Sequence, residues 1–243
     1  MKNVSSFNRS SSDDELTVSQ WMPRFYYSHY HLSAAAFFAR QSAQIERNNN
    51  ASGEAGSSEN FLQHRAYVTG CILSSVSFLE AQINEVFTDA SEDKRDFIHP
   101  LGDRIFLFGE MWRLDVPRTA SFPILKKYEI ALALAQKAPF DRGDVIYQDT
   151  KLLIRLRNAL IHYEPLSSTG SAKASRDDEE RFRGKFAQNP LTGSKTPFFP
   201  ERCMGHGCAQ WAVTTSVRFV DQFCERLSIK PFFDSVRESL NTG

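Results

Sequence analysis

The sequence predicts an all-α fold: a bundle of long helices with one long loop before the C-terminal helix. Three observations predict it. Over 61–90, Ile72, Val76, Leu79, Ile83, Val86 and Phe87 recur at spacings of three and four, the period of one helix face. Proline falls only between such stretches, and apart from Gly70 so does glycine. No segment reads as a strand, and "TPFFP" is too short and too proline-bounded to be one. A hydrophobic content of 41% is enough for a sizeable core.

Residues 1–20 are rich in Ser and Asp and are expected to form a disordered tail. Residues 21–243 then make a single domain. A first helix is expected over 24–47, centred on Ala34, Ala35, Ala36, Phe37 and Phe38. At helical spacing, the aromatics of "RFYYSHYHL" at its start suit core packing better than base stacking. "NNNASGEAGSSEN" breaks this helix by composition, and the long helix over 61–90 follows. On that helix Glu80 falls on the apolar stripe between Leu73 and Phe87, whereas Glu85 falls elsewhere and should be solvated. Pro100, Gly102, Gly109 and Pro117 mark a loop. The next helix covers 124–137 with "KKYEIALALAQK". Asp144 is placed to cap another, which runs to His162 and stops before Pro165. Residues 166–204 read as a long loop or insertion, and a helix over 208–227 closes the chain.

Lys plus Arg and Asp plus Glu are equal at 29 each, so the net charge is zero. A protein that grips nucleic acid over its whole surface is usually basic, so any such contact here must be local or shared with a partner. Cys71, Cys203, Cys208 and Cys224 are few and scattered, which points to a reducing compartment rather than a disulfide framework. The first residues lack the apolar core of a signal peptide, and no run approaches the ~20 apolar residues of a membrane span. The expectation is a cytoplasmic protein without a membrane partner.

The stretch "RLRNALIHYEP" (155–165) carries the functional signal. Drawn at 100° per residue, Gln148, Lys151, Arg155, Asn158 and His162 share one polar stripe. Arg157 does not: it falls in the apolar arc, between Leu153 and Leu160 on one side and Ile154 and Ile161 on the other. A guanidinium keeps its charge there and needs a carboxylate, a phosphate or a route to solvent. Glu80 is its natural partner. Ordinary helix ends also carry Arg and His, because the carbonyl end of the dipole favours cations. An arginine within an apolar arc, an adjacent Asn and an abrupt proline stop shift the balance toward a phosphate-handling site.

Two other stretches weigh less. Cys203, His206 and Cys208 invite a zinc reading, but Cys-x2-His-x-Cys lacks a fourth ligand. Gly205 and Gly207 suit a tight turn into the last helix instead, and no metal is expected. In "RDDEERFRGKF", Arg181, Arg183 and Lys185 can touch a phosphate backbone, although mixed charge runs more often form a solvated surface.

"RNALIHYEP", with the long earlier helix "AYVTGCILSSVSFLEAQINEVF", resembles the signature of the HEPN superfamily: Arg, a polar residue often Asn, three residues, then His. Arg157, Asn158 and His162 are the matching positions. The resemblance implies a helical bundle that forms a homodimer, with the motif helices of two subunits meeting in a cleft. It also implies a metal-independent endoribonuclease without cofactor, in a toxin–antitoxin or phage-defence setting, with a neutralising antitoxin or defence protein as partner. The 2′-hydroxyl of an RNA substrate would attack its own adjacent phosphate. His162 would transfer a proton, Arg157 would hold the phosphate, and Asn158 would orient either one. Other members resemble non-catalytic RNA-binding or interaction modules, the alternative reading. One branch carries a tyrosine two residues after the histidine. Here Tyr163 follows His162 directly and Glu164 takes that position, which leaves Tyr163 in a supporting place only.

Overall fold

The computed structural model describes residues 24–52, 58–117, 122–163 and 179–243, and among them there is no strand. The 1–20 tail and the first part of the 166–204 loop lie outside these residues. The all-α expectation holds.

Helices α1 (Tyr27–Ser52) and α2 (Ser58–Ser91) form an antiparallel pair. At one end Ser28 N–H donates to Glu85 (2.8 Å) and Tyr26 to Asp89 (3.0 Å); at the other, His64 meets Glu46 at 2.8 Å. Both helices extend further into "NNNASGEAGSSEN" than expected, because its Asn and Ser residues weaken a helix without breaking it as proline does, and its Ala residues favour one. Val68, Cys71, Ile72, Val76, Leu79, Ile83, Val86 and Phe87 are all buried, as the period-3.6 stripe requires. Among the described residues α2 alone has the length and hydropathy of a membrane span, yet half of that window is buried within the bundle, like the core helix of a soluble protein.

The expected loop around Gly109 is instead a 3-10 turn (His99–Arg104) followed by a helix, α3 (Ile105–Arg113). Gly109 lies inside that helix and is buried. A Cβ there would sit 2.8 Å from the Ala90 carbonyl oxygen. The glycine marks a close approach of α3 to the end of α2, not a chain reversal. Helix α4 (Ile124–Leu134) follows, ending earlier than Lys137. Tyr128 is its anchor. The fully buried ring meets Phe219 and Phe223 edge-on at 4.9 and 4.7 Å, and the hydroxyl donates to the Leu79 carbonyl at 2.7 Å. Helices α5 (Val145–Ile161) and α6 (His206–Leu227) complete the bundle. Helix α6 packs against α1, α2 and α5, so it is the wall on which α5 rests.

Two sequence expectations are corrected here. In "RFYYSHYHL", only Ser28 and Leu32 are fully buried and Tyr26 packs against Phe97 and Phe232; Phe25, Tyr27 and Tyr30 are 70%, 61% and 49% exposed. The stretch is half surface, because it lies at the open end of the α1–α2 pair. Glu85 is not the solvated carboxylate. It faces the start of α1, with one oxygen on Ser28 N–H and the other, Oε2, buried without a hydrogen-bond partner among the described residues.

That placement makes stability depend on pH. Burial pushes Glu85 up to about 7, against the lesser pull of Ser28. Burial likewise raises Asp89 to about 6 although Arg24 pairs with it at 2.6 Å. Between the unfolded carboxylate pKa and these values, the folded chain holds protons that the unfolded chain releases. Stability therefore falls as pH rises from about 4.5 to 7, by about 1–3 kcal/mol for each group. Glu85→Gln keeps an acceptor for Ser28 N–H and should flatten part of that fall. Denaturant midpoints at pH 5 and pH 7.5 measure it; equal pH dependence in the variant and the natural chain would contradict the assignment.

Candidate functional site

Helix α5 begins at the expected cap: Asp144 accepts from Ile146 N–H at 3.0 Å. Ile146, Tyr147, Asp149, Thr150, Leu153 and Leu156 are buried, with Leu153 at 0% and Leu156 at 2% exposure. Thr150 spends its hydroxyl on the Ile146 carbonyl (2.8 Å), so the buried face carries few unmet polar groups. The opposite face is the polar stripe: Gln148, Lys151, Arg155, Asn158 and His162 are all exposed. His162 is the C-terminal cap, its backbone N–H on the Asn158 carbonyl at 2.9 Å. The two residues are thus adjacent on one open turn.

Arg157 lies to the side of this stripe. The residue is half-buried, and its Nε is buried without a hydrogen-bond partner among the described residues. The expected partner is engaged elsewhere. Glu80 receives Lys127 Nζ at 2.9 Å, and Asn84 Oδ1 receives the same ammonium at 3.0 Å. Lys127 is 1% exposed, so it, and not Arg157, is the buried cation that Glu80 neutralises. Sequence periodicity placed Glu80 on an inward stripe, but it could not say which neighbouring helix faces that stripe. The neighbour is α4, through the lysine of "KKYEIALALAQK". Tyr163 is 49% exposed, with its ring 6.3 Å from that of Phe199.

The stripe forms a ridge between hollows. On one side, a hollow of about 410 Å³ is lined by Lys151 and Arg155 from α5, by Arg181 from a helical turn at 179–182 and by Lys185 just after it. Asp149 is its one carboxylate among the described residues, in contact with Lys185. A second hollow of about 580 Å³ shares Asp149 and Lys185 and extends to Phe186 and the α6 residues Gln210, Trp211 and Thr214. On the other side, Pro123, Ile124, Leu125 and Ile154 line a more apolar hollow of about 290 Å³. The described end of the 166–204 segment is therefore packed structure. Phe182 is 5% exposed and meets Phe198 and Trp211, and Phe186 meets Trp211 at 5.4 Å. The charged run in "RDDEERFRGKF" is not simply a solvated surface. Its Phe-x3-Phe spacing, one helical turn, was the signal that this segment has an inward face.

Cys203, His206 and Cys208 form the turn that starts α6. Gly205 is its N-cap, and a Cβ on Gly207 would lie 2.5 Å from the Ala187 carbonyl oxygen. His206 gives its backbone N–H to Glu46 (2.6 Å), and its Nδ1 lies 3.1 Å from the Ala39 carbonyl. No group of three possible metal ligands occurs among the described residues.

No family model matches this sequence, and no curated protein or solved structure is significantly similar to it.

The Glu80–Lys127 pair can be tested apart from any activity. Glu80→Gln strips the counter-charge from a buried ammonium and should cost about 1–3 kcal/mol, less than a fully buried pair because Glu80 is 39% exposed. Lys127→Met, which removes the buried charge itself, should cost less than Glu80→Gln. Urea denaturation of the two variants decides; the reverse order would contradict the pairing.

Proposed function

We propose that the chain is a metal-independent endoribonuclease of HEPN type. The observation that carries this reading is the C-terminal turn of α5. There Asn158 and His162 stand exposed together, and the half-buried Arg157, adjacent to Asn158 in the sequence, has an Nε without a hydrogen-bond partner among the described residues. A half-buried guanidinium and an exposed imidazole carried by the same end of one helix are the groups phosphodiester chemistry uses, one to hold a phosphate oxygen and the other to move a proton.

In this reading the RNA 2′-hydroxyl attacks the adjacent phosphorus. The bond to the leaving 5′-oxygen breaks, and a 2′,3′-cyclic phosphate forms. His162 takes the 2′ proton or delivers one to the leaving oxygen. Arg157 stabilises the negative charge that grows on the phosphoryl oxygens, and Asn158 orients the imidazole or the phosphate. Ile161, 52% exposed at the same end of the helix as His162, is the apolar residue through which two copies would meet. Two copies of His162 facing a common groove would then divide the base and acid roles. The reading includes a neutralising antitoxin or defence protein as partner, and a cytoplasmic setting.

His162→Ala and Arg157→Ala should each reduce cleavage of total RNA at least a hundredfold while the helical circular-dichroism signal is retained. Arg157→Lys should not restore it, because an ammonium lacks the planar fork. Cleavage by the natural chain should persist in excess chelator. Wild-type rates from either alanine variant would remove the assignment and leave a non-catalytic interaction module.

Assembly is a separate test. Light scattering at tens of micromolar should give the mass of a dimer, and Ile161→Asp should shift it to a monomer. A monomeric natural chain would contradict the shared groove.

A further inference from the structure

The start of α1 is held to the bundle differently from the rest of that helix. From Leu32 onward the anchors are apolar: Leu32, Ala35, Ala36 and Ala39 are fully buried. Before Leu32 the anchors are mainly carboxylates of α2. Ser28 N–H donates to Glu85, the Tyr26 hydroxyl donates to Asp89, and Arg24 pairs with Asp89 and Glu92. The first N–H groups of a helix have no partner within it. The first turn of α1 carries no acidic residue, so Glu85 caps it from across the helix pair. Phe25, Tyr27 and Tyr30 are largely exposed and add little burial, whereas the Tyr26 ring packs on Phe97 and Phe232 at 5.2 and 4.9 Å.

These carboxylates stand in a poorly solvated row. Gln82, three residues before Glu85 and seven before Asp89 on α2, is fully buried. Neither atom of its amide has a hydrogen-bond partner among the described residues, and nor has Glu85 Oε2. Such atoms regain hydrogen bonds when water reaches them. A charge on Glu85 lies beside that of Asp89, and Glu92 adds another. Arg24 of α1 answers Asp89 and Glu92. Tyr128 of α4 and, behind it, Cys224 of α6 are held uncharged by burial. His29 and His31 lie against Tyr30 and Tyr27 at 4.3 and 5.1 Å, and burial lowers both, so neither supplies a cation near neutral pH. The helix end and Ser28 N–H favour a charged Glu85, but burial opposes them and weighs more.

We propose that residues 24–31 form a proton-controlled latch: with a proton on Glu85 they close on α2, and when Glu85 ionises they lift, taking Tyr26 off Phe97 and Phe232 while the rest of the bundle stays folded. The inference is independent of the ribonuclease reading. It also differs from a pH dependence of overall stability, because the opening is local: few apolar groups hold this turn, and the apolar row from Leu32 stays in place. The sign follows from Glu85, which titrates at about 7 in the closed turn and near its ordinary 4.5 once hydrated. The closed turn keeps a proton that the open turn releases, so opening grows as pH rises between these values and levels off above 7.

The test is hydrogen exchange of the full chain, read by mass spectrometry at pH 6 and pH 8 and corrected for the intrinsic pH dependence of amide exchange. Exchange in the peptide 24–34 should rise about tenfold between the two. At pH 8 it should not respond to 1 M urea, because a local opening exposes little surface, and peptides within 206–227 should remain about a hundredfold more protected. Glu85→Gln should reduce the pH response to below about threefold, the part left to Asp89. Tyr26→Phe keeps the ring and loses the bond to Asp89; it should speed exchange of 24–34 already at pH 6 and leave 206–227 unchanged. Two results overturn the proposal in the natural chain alone: no rise with pH in 24–34, or protection there equal to that of 206–227, which would mean that the turn opens only with the whole bundle. A tenfold rise that persists in Glu85→Gln overturns it as well.

Discussion

The candidate site exists because α5 is buried on one face only. Ile146, Thr150, Leu153 and Leu156 are locked against the bundle, and each fully buried leucine contributes about 2 kcal/mol to holding the helix there. That burial fixes the rotation of the helix about its axis. With the rotation fixed, the stripe from Gln148 to His162 must face outward and Arg157 must fall at the boundary. A turn of one residue would carry the stripe about 100° toward the core. The geometry of three candidate residues therefore depends on packing several residues away from them.

The rest of the bundle serves that packing. Glu46 of α1 binds both His64 of α2 and the backbone N–H of His206, so one carboxylate sets the junction from which α6 departs. Tyr128 ties α4 to α2 through its hydroxyl and to α6 through its ring. Helix α6 then offers α5 a continuous apolar wall, including Phe219, which also stacks with Phe140 just before the Asp144 cap. At the far end of the α1–α2 pair, Glu85 and Asp89 are held in burial that disfavours their charge. Their burial costs stability as pH rises, a cost that the Arg24 pair with Asp89 offsets only in part.

Much of α5 was legible in the sequence because its signals are local. A cap, a 3.6-residue period and a proline stop all act within a few residues, and they placed the helix, its polar stripe and the odd position of Arg157. Errors arose where the deciding contact was distant in sequence. Glu80 was read as inward on the α2 wheel, but its side chain is 39% exposed and its partner is Lys127 of α4, which periodicity on α2 cannot identify. Glu85 looked solvated on a single-helix wheel and is covered by the start of α1. Gly109 looked like a loop residue because its reason, an Ala90 carbonyl across a helix contact, lies 19 positions away. The aromatics of "RFYYSHYHL" had the right period for a core but lie where the bundle ends. The ion pair of Asp149 with Lys185 joins residues 36 apart, and without it the charged run of the long loop could not be placed beside the motif helix.

In the function proposed here, the polar stripe and the half-buried arginine serve one chemistry: binding a phosphodiester and moving a proton at its edge. The claim that matters most is that the attacking group is the substrate's own 2′-hydroxyl and not water. It can be tested on a short RNA whose cleavage point has been mapped, resynthesised with a single 2′-deoxy nucleotide on the 5′ side of that point. The account predicts that cutting stops at the modified linkage while binding of the strand is unchanged. Continued cutting there at the original rate would contradict it, because the proposed chemistry would have lost its nucleophile.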